Sequence, residues 1–237
     1  MAKPTATSVL DPTNSLAKGM ILACPFYEGS GTTSMDFADP SRSLTNVTWT
    51  TVGGLPYGKQ AASNSSYKTI RYPLDSGGTF SAVSRINITL TNGSNNSPFD
   101  FSPTDFSYAA GNIYQPSSTT AHWTCNFGYH GIGGAALVGS SVVTAGIYDL
   151  AMVWDGSSTL TLYVNGSSDG TATGTYDSAR SGYMMARCIA SIGVGASCEF
   201  FYIYDRVLSG AEVSSLASNP YSMFLTPSSG GTKGFAF

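Results

Sequence analysis

Charge is scarce in this sequence. Only 11% of its 237 residues are Asp, Glu, Lys or Arg, against a usual share of roughly a quarter. Lys and Glu, the exposed helix formers, are among the missing, which argues against a helical protein. The net charge of -3 argues against a nucleic-acid binder, which would normally show a basic patch or stripe. Cysteine is limited to Cys24, Cys125, Cys188 and Cys198. None forms a C-x-x-C pair, and His122 and His130 do not flank them at zinc spacing. Four reduced core thiols are the expectation, with a Cys188–Cys198 bridge across a hairpin as the sharper alternative. No apolar run reaches the length of a membrane span, so membrane insertion is not expected. The opening Met1-Ala2-Lys3-Pro4-Thr5 lacks an apolar core, so no secretory leader is expected either.

What is present is small, β-prone and aromatic. There are 35 Ser, 25 Thr and 27 Gly, with 42% hydrophobic and 12% aromatic residues. That many aromatics argue against disorder. Residues 1–19 read as an arm, broken by Pro4, Pro12 and Gly19. A strand comes next over about Met20–Phe26, then a turn through Gly29-Ser30-Gly31. Short strands fill 34–60, with Trp49 and Val52 as expected core members. Period-two alternation is clearest in four stretches. Ile86, Ile88 and Leu90 share one face of a strand that ends in Asn92-Gly93, a hairpin dipeptide. Trp123, Cys125 and Phe127 share another, which points His122 away from the core. Tyr148, Leu150, Met152 and Trp154 share a third, and Leu160, Leu162 and Val164 a fourth. The turns Asp155-Gly156 and Asn165-Gly166 make the last two strands part of an antiparallel meander. A late strand pair is expected at Ala190–Val194 and Glu199–Tyr204. One short helix is expected over about Gly210–Ser218. Ser209 and Glu212 form its capping box, Val213 and Leu216 its apolar side, and Asn219-Pro220 its end. Many short strands with frequent turns mean an all-β sandwich or barrel.

Three stretches resemble one family. Leu22-Ala23-Cys24-Pro25-Phe26-Tyr27-Glu28-Gly29-Ser30-Gly31-Thr32-Thr33 is similar to the opening strand and turn of laminin-G-like, concanavalin-A-like domains. Tyr148–Asp169 resembles their central hairpin. Phe201-Tyr202-Ile203-Tyr204-Asp205-Arg206-Val207-Leu208-Ser209-Gly210-Ala211-Glu212-Val213 resembles their closing strand and helix. The resemblance implies a jelly-roll β-sandwich of two antiparallel sheets over 20–224, with an arm at 1–19 and a tail at 225–237. The close, Leu216–Phe224, is also similar to that of many phage and environmental-virus proteins carrying this domain.

The resemblance implies binding or assembly rather than catalysis. Retaining glycoside hydrolysis, known on this fold, needs two carboxyl groups about 5 Å apart. Here Glu28, Glu199 and Glu212 are the only glutamates, far apart in sequence, and no nucleophile motif exists. No catalytic residue is expected. The first functional expectation is therefore a non-enzymatic structural protein on the surface of a phage or virus particle, a decoration or fibre-like component. It would meet copies of itself and other virion proteins through apolar Val9 and Leu10 of the arm and Phe235 and Phe237 of the tail. The alternative is a lectin-like adhesion module for host-surface glycans, with Tyr114, Tyr129 and His130 as candidate contacts. A glycoside hydrolase ranks last. No cofactor is expected. Calcium, which loops on this fold often hold, would find its best local pair in Asp36 and Asp39, with Asp75 or Asp155 as partners. The preferred reading of Asp39-Pro40 and Asp155-Gly156 is simple turns.

Overall fold

The computed structural model describes residues 3–41, 43–60, 68–70, 78–89, 96–103, 111–115, 122–127, 135–174, 184–188 and 196–225. They form two stacked antiparallel sheets and one α-helix. The larger sheet has eight strands. In spatial order these are β15 (Ser167–Thr173), β14 (Thr159–Val164), β13 (Gly146–Trp154), β8 (Phe80–Ile88), β17 (Ala196–Tyr204), β6 (Leu55–Gln60) and β5 (Val47–Val52), with β2 (Met20–Cys24) also paired to β17. The smaller sheet runs β12 (Ala135–Val142), β11 (His122–Phe127), β10 (Gly111–Gln115), β9 (Asn96–Pro103), β16 (Met184–Cys188) and β7 (Lys68–Ile70). Two short ribbons complete the chain. One pairs β3 (Thr33–Met35) with β4 (Ser43–Thr45), and the other pairs β1 (Val9–Leu10) with β18 (Phe224–Leu225).

The expected alternation becomes the core between the sheets. Tyr148, Leu150, Met152 and Trp154 of β13 and Leu160, Leu162 and Val164 of β14 are buried there, facing Ile113, Trp123 and Cys125 of the smaller sheet. Each such side chain contributes about 1.5–3 kcal/mol by leaving water. Asn165-Gly166 turns the chain between β14 and β15 with both residues at positive φ, the geometry an Asn-Gly turn demands. Trp49 packs against this core as expected, whereas Val52 does not join it. Both are only half-buried, because β5 is the edge strand of the larger sheet. Cys198 is a free buried thiol whose Sγ contacts the Phe200 carbonyl oxygen, so the Cys188–Cys198 bridge is not made. His122 is half-buried, with Nδ1 shielded from water, rather than fully turned to solvent. Leu90, Asn92-Gly93 and Ala190–Val194 lie outside the described residues; Phe127 closes β11, and its side chain is not among those described.

A second apolar cluster covers part of the other face of the larger sheet. Val83, Ala151, Val153, Phe200, Tyr202 and Tyr204 meet Leu16 of the arm, Val213 and Leu216 of helix α1 (Gly210–Ser218), and Tyr221 and Met223 beyond it. Between them the two clusters take in most of β17, all of whose residues are buried. The helix matches its expected bounds. Ser209 Oγ accepts from the Glu212 amide, and the Glu212 carboxylate accepts from the Ser209 amide. Burial works against the Glu212 charge, but Arg206 and Ser209 outweigh it and hold the carboxyl below its usual value.

In the larger sheet one strand exchanges neighbours. β17 pairs with β8 along one edge and changes partner along the other. Cys198 opposes Gly58 of β6, then a bulge intervenes, and Phe201 opposes Cys24 of β2. Pro25 and Pro56 flank the break and bring no N–H to a ladder, and Phe26 adopts a positive φ of 46°.

Candidate binding site

The odd-numbered residues of β8 run along the outer face of the larger sheet. Val83 lies under the apolar cluster and Arg85 at its margin. Asn87 and Thr89 lie past that margin, where an open groove of about 580 Å³ begins. The groove runs from β5 and its turn (Thr48 to Gly53), across Asn87 and Thr89, to Ala196 and Ser197 at the start of β17. Its size is in the range of small-ligand sites. Thr48 and Thr50 are exposed, as alternation on an edge strand allows. Asn87 and Ser197 are cross-strand partners. The Trp49 indole is held in place: Nε1 donates to the Gly31 carbonyl at 3.0 Å, and the ring meets Phe26 edge-on at 6.1 Å. Among the described residues lining the groove none is charged. The arrangement offers hydroxyls and one amide, a donor–acceptor set suited to a neutral polyol, while the Trp49 side chain packs towards the core from the other face of β5.

Beside the groove lies a buried polar network. Glu199 is 3% exposed and accepts from the Tyr57 hydroxyl at 2.8 Å and the Tyr221 hydroxyl at 2.7 Å. Burial, with the carboxylate adding to it, pushes both phenols well above their ordinary value. Arg85 holds Asp149 in a bidentate pair (2.8 and 3.0 Å) and donates to the Ala217 carbonyl near the end of α1. These contacts satisfy groups that burial would otherwise penalise; they fasten the helix, the turn at Tyr221 and the sheet together.

The expected site residues scatter. Asp36 is fully buried, and its Oδ1 accepts from the amides of Ala23 and Ala38. Asp39 Oδ1 accepts from the amide and hydroxyl of Ser41. Asp155 Oδ1 accepts three successive amides, Ser157 to Thr159. Each carboxylate thus carries a turn or strand contact, and no group of three His, Cys, Asp or Glu side chains is placed to hold a metal among the described residues. Glu28 bonds to Ser34 and Met35, far in role from Glu199 and Glu212. Tyr114 lies in β10, opposite Thr124, and its side chain is not among those described. Tyr129, His130, Asp75, Phe235 and Phe237 lie outside the described residues. Leu10 packs on its own chain, while Val9 is 56% exposed. Trp49 packs against the core as the sequence suggested; what sequence reasoning missed is the groove lined by Thr48, Thr50, Asn87 and Thr89, for which a Thr-rich edge strand was the signal.

The comparisons with known proteins agree with this architecture. No curated protein matches the sequence. Among solved structures, the binding domain of Paraclostridial Mosquitocidal Protein 1 superposes with a TM-score of 0.63 at 11% identity, over 88% of this chain and 54% of that one. The binding domain of botulinum neurotoxin serotype D/C gives 0.61 at 12% identity, over 86% and 53%. A botulinum neurotoxin DC binding domain in complex with SialylT gives 0.55 at 11% identity, over 86% and 52%. The chain therefore spans about half the length of these structures, and at such identities the likeness is one of fold. Residues 62–214, more than half of the sequence, match the family described as the concanavalin A-like lectin/glucanases superfamily. With two stacked antiparallel sheets and a capped closing helix in the order that family resemblance implied, the chain belongs to the concanavalin A-like lectin/glucanases superfamily.

Proposed function

We propose that this protein is a non-catalytic, lectin-like binding module whose ligand is a neutral glycan held in the groove beside Trp49. The observation that carries this reading is the groove's lining: Thr48, Thr50, Thr89, Ser197 and Asn87, with no charge among the described residues. Sugars present many hydroxyls, which hydroxyl and amide side chains can meet as both donors and acceptors. An anionic sugar would find no counter-charge in this lining. Binding domains with the same fold, one of them in complex with SialylT, support a binding rather than catalytic role. The separate placement of Glu28, Glu199 and Glu212 gives a glycosidase no support. The test is a glycan array with the wild-type chain and Asn87→Ala. Binding of neutral glycans that falls tenfold or more in the variant is the expected result. A blank array for the wild type at high loading overturns the proposal.

A second reading concerns where such a module sits. We place it on the surface of a virus or phage particle, assembled with copies of itself and other virion proteins. Its support is the end-of-sequence resemblance and the β1–β18 ribbon, which leaves Val9 56% and Leu225 48% exposed next to the tail. Light scattering on the full chain and on Val9→Ser/Leu225→Ser tests it. Assembly lost in the variant supports the reading, and a wild-type monomer at high concentration removes it.

A further inference from the structure

The break in the β17 ladder leaves four backbone carbonyls converging on one point. Glu199 lies in the bulge between the two pairing partners of β17, Pro25 and Phe26 come just after the end of β2, and Pro56 stands on β6 just before Gly58. Carbonyls stranded in this way need donors. Lys3 supplies them from the far end of the chain. Its Nζ donates to Pro25 O (3.2 Å), Phe26 O (3.1 Å), Glu199 O (3.0 Å) and Pro56 O. The Tyr57 ring lies 5.4 Å from the same nitrogen, within cation–π range. Three protons are shared among four oxygens and an aromatic face, so the surroundings form a cage rather than a single hydrogen bond.

We propose that this cage is a binding site for a compact monovalent cation of the ammonium class, which the chain fills with the Lys3 side chain of its own arm. The acceptors are neutral carbonyl oxygens. Calcium would call for carboxylates and shorter distances of about 2.3–2.6 Å. The separations at Lys3 are those of an N–H donor. The Glu199 carboxylate, engaged by Tyr57 and Tyr221, adds a favourable field without touching the cation. Burial lowers the Lys3 pKa to about 8, with Glu199 pulling the other way, so the ammonium is held charged at neutral pH. Lys3 is thus an exchangeable ligand that seats the tip of the arm, while Asn14, β1 and the Arg206 contacts to Ser15 and Lys18 seat the rest.

Chemical rescue tests it. Lys3→Ala should melt several degrees below the wild type. Methylammonium chloride should restore that loss along a saturating curve, leaving the wild type unmoved. Tetramethylammonium chloride, which carries the charge but no N–H and is too large for the cage, should do nothing. A Lys3→Ala protein with the wild-type melting temperature, or one that responds equally to both salts, overturns the proposal. Should Lys3→Ala fail to fold, reductive methylation of the wild type decides: Lys3 must react much more slowly than Lys18, and equal rates overturn the cage.

Discussion

The outer face of the eight-stranded sheet has two halves that obey opposite rules. Over one half, Val83, Phe200, Tyr202 and Tyr204 are sealed beneath the arm, helix α1 and the turn at Tyr221. Over the other, Asn87, Thr89, Thr48 and Thr50 line an open groove. The same two strands, β8 and β17, pass through both, and the change falls at Arg85 and the Glu199 bulge. The covered half uses the sheet as a foundation and buries everything it can. The open half keeps small polar side chains where no other part of the described chain covers them. An antiparallel sheet can leave one face to solvent, so the open half needs no cover to be stable. The polar half is where the proposed glycan would sit.

Substitutions should separate the halves. The largest effect is expected at Phe200, fully buried and stacked on Tyr202 at 4.6 Å. Phe200→Ala should cost about 3–5 kcal/mol in urea denaturation and leave little folded protein to bind anything. Glu199→Gln should cost about 2 kcal/mol, because it weakens the paired acceptor of two buried hydroxyls. Ser209→Ala should cost about 1 kcal/mol through loss of the helix cap. In the open half, Thr50→Ala and Asn87→Ala should change stability by less than about 0.5 kcal/mol while weakening glycan binding.

Acid adds a finer comparison. The Glu212 carboxyl titrates below its unfolded value. The unfolded chain therefore takes up its proton first as pH falls, and the stabilisation, complete above the unfolded pKa, is lost through the folded one. Glu212→Gln should flatten the acid limb of a melting-temperature profile below about pH 4.5. Partial exposure keeps the effect small.

The two halves also differ in how much of them a sequence can reveal. The core between the sheets was legible because each strand buries one face and so alternates, as Leu160, Leu162 and Val164 do. The helix was legible because Ser209, Glu212 and Asn219-Pro220 mark its ends locally. β17 was harder: both of its faces are buried, so no alternation betrays which residues look inward. Lys3 gave no signal at all. Its partners lie 22 to 196 residues away, and a lone lysine in an arm has no pattern. The groove is assembled from three distant segments, so no local pattern announces it.

Whether the open half binds sugar is decided by a glycan array run on the wild-type chain beside Thr50→Glu, with both melting temperatures recorded. Thr50 is exposed on the edge strand, so the variant should fold as the wild type does while placing a bulky charge in the groove. Wild-type binding to neutral glycans should disappear in Thr50→Glu at an unchanged melting temperature. Binding that survives the substitution, or a wild-type signal confined to sialylated glycans, would contradict a neutral-glycan site in the groove.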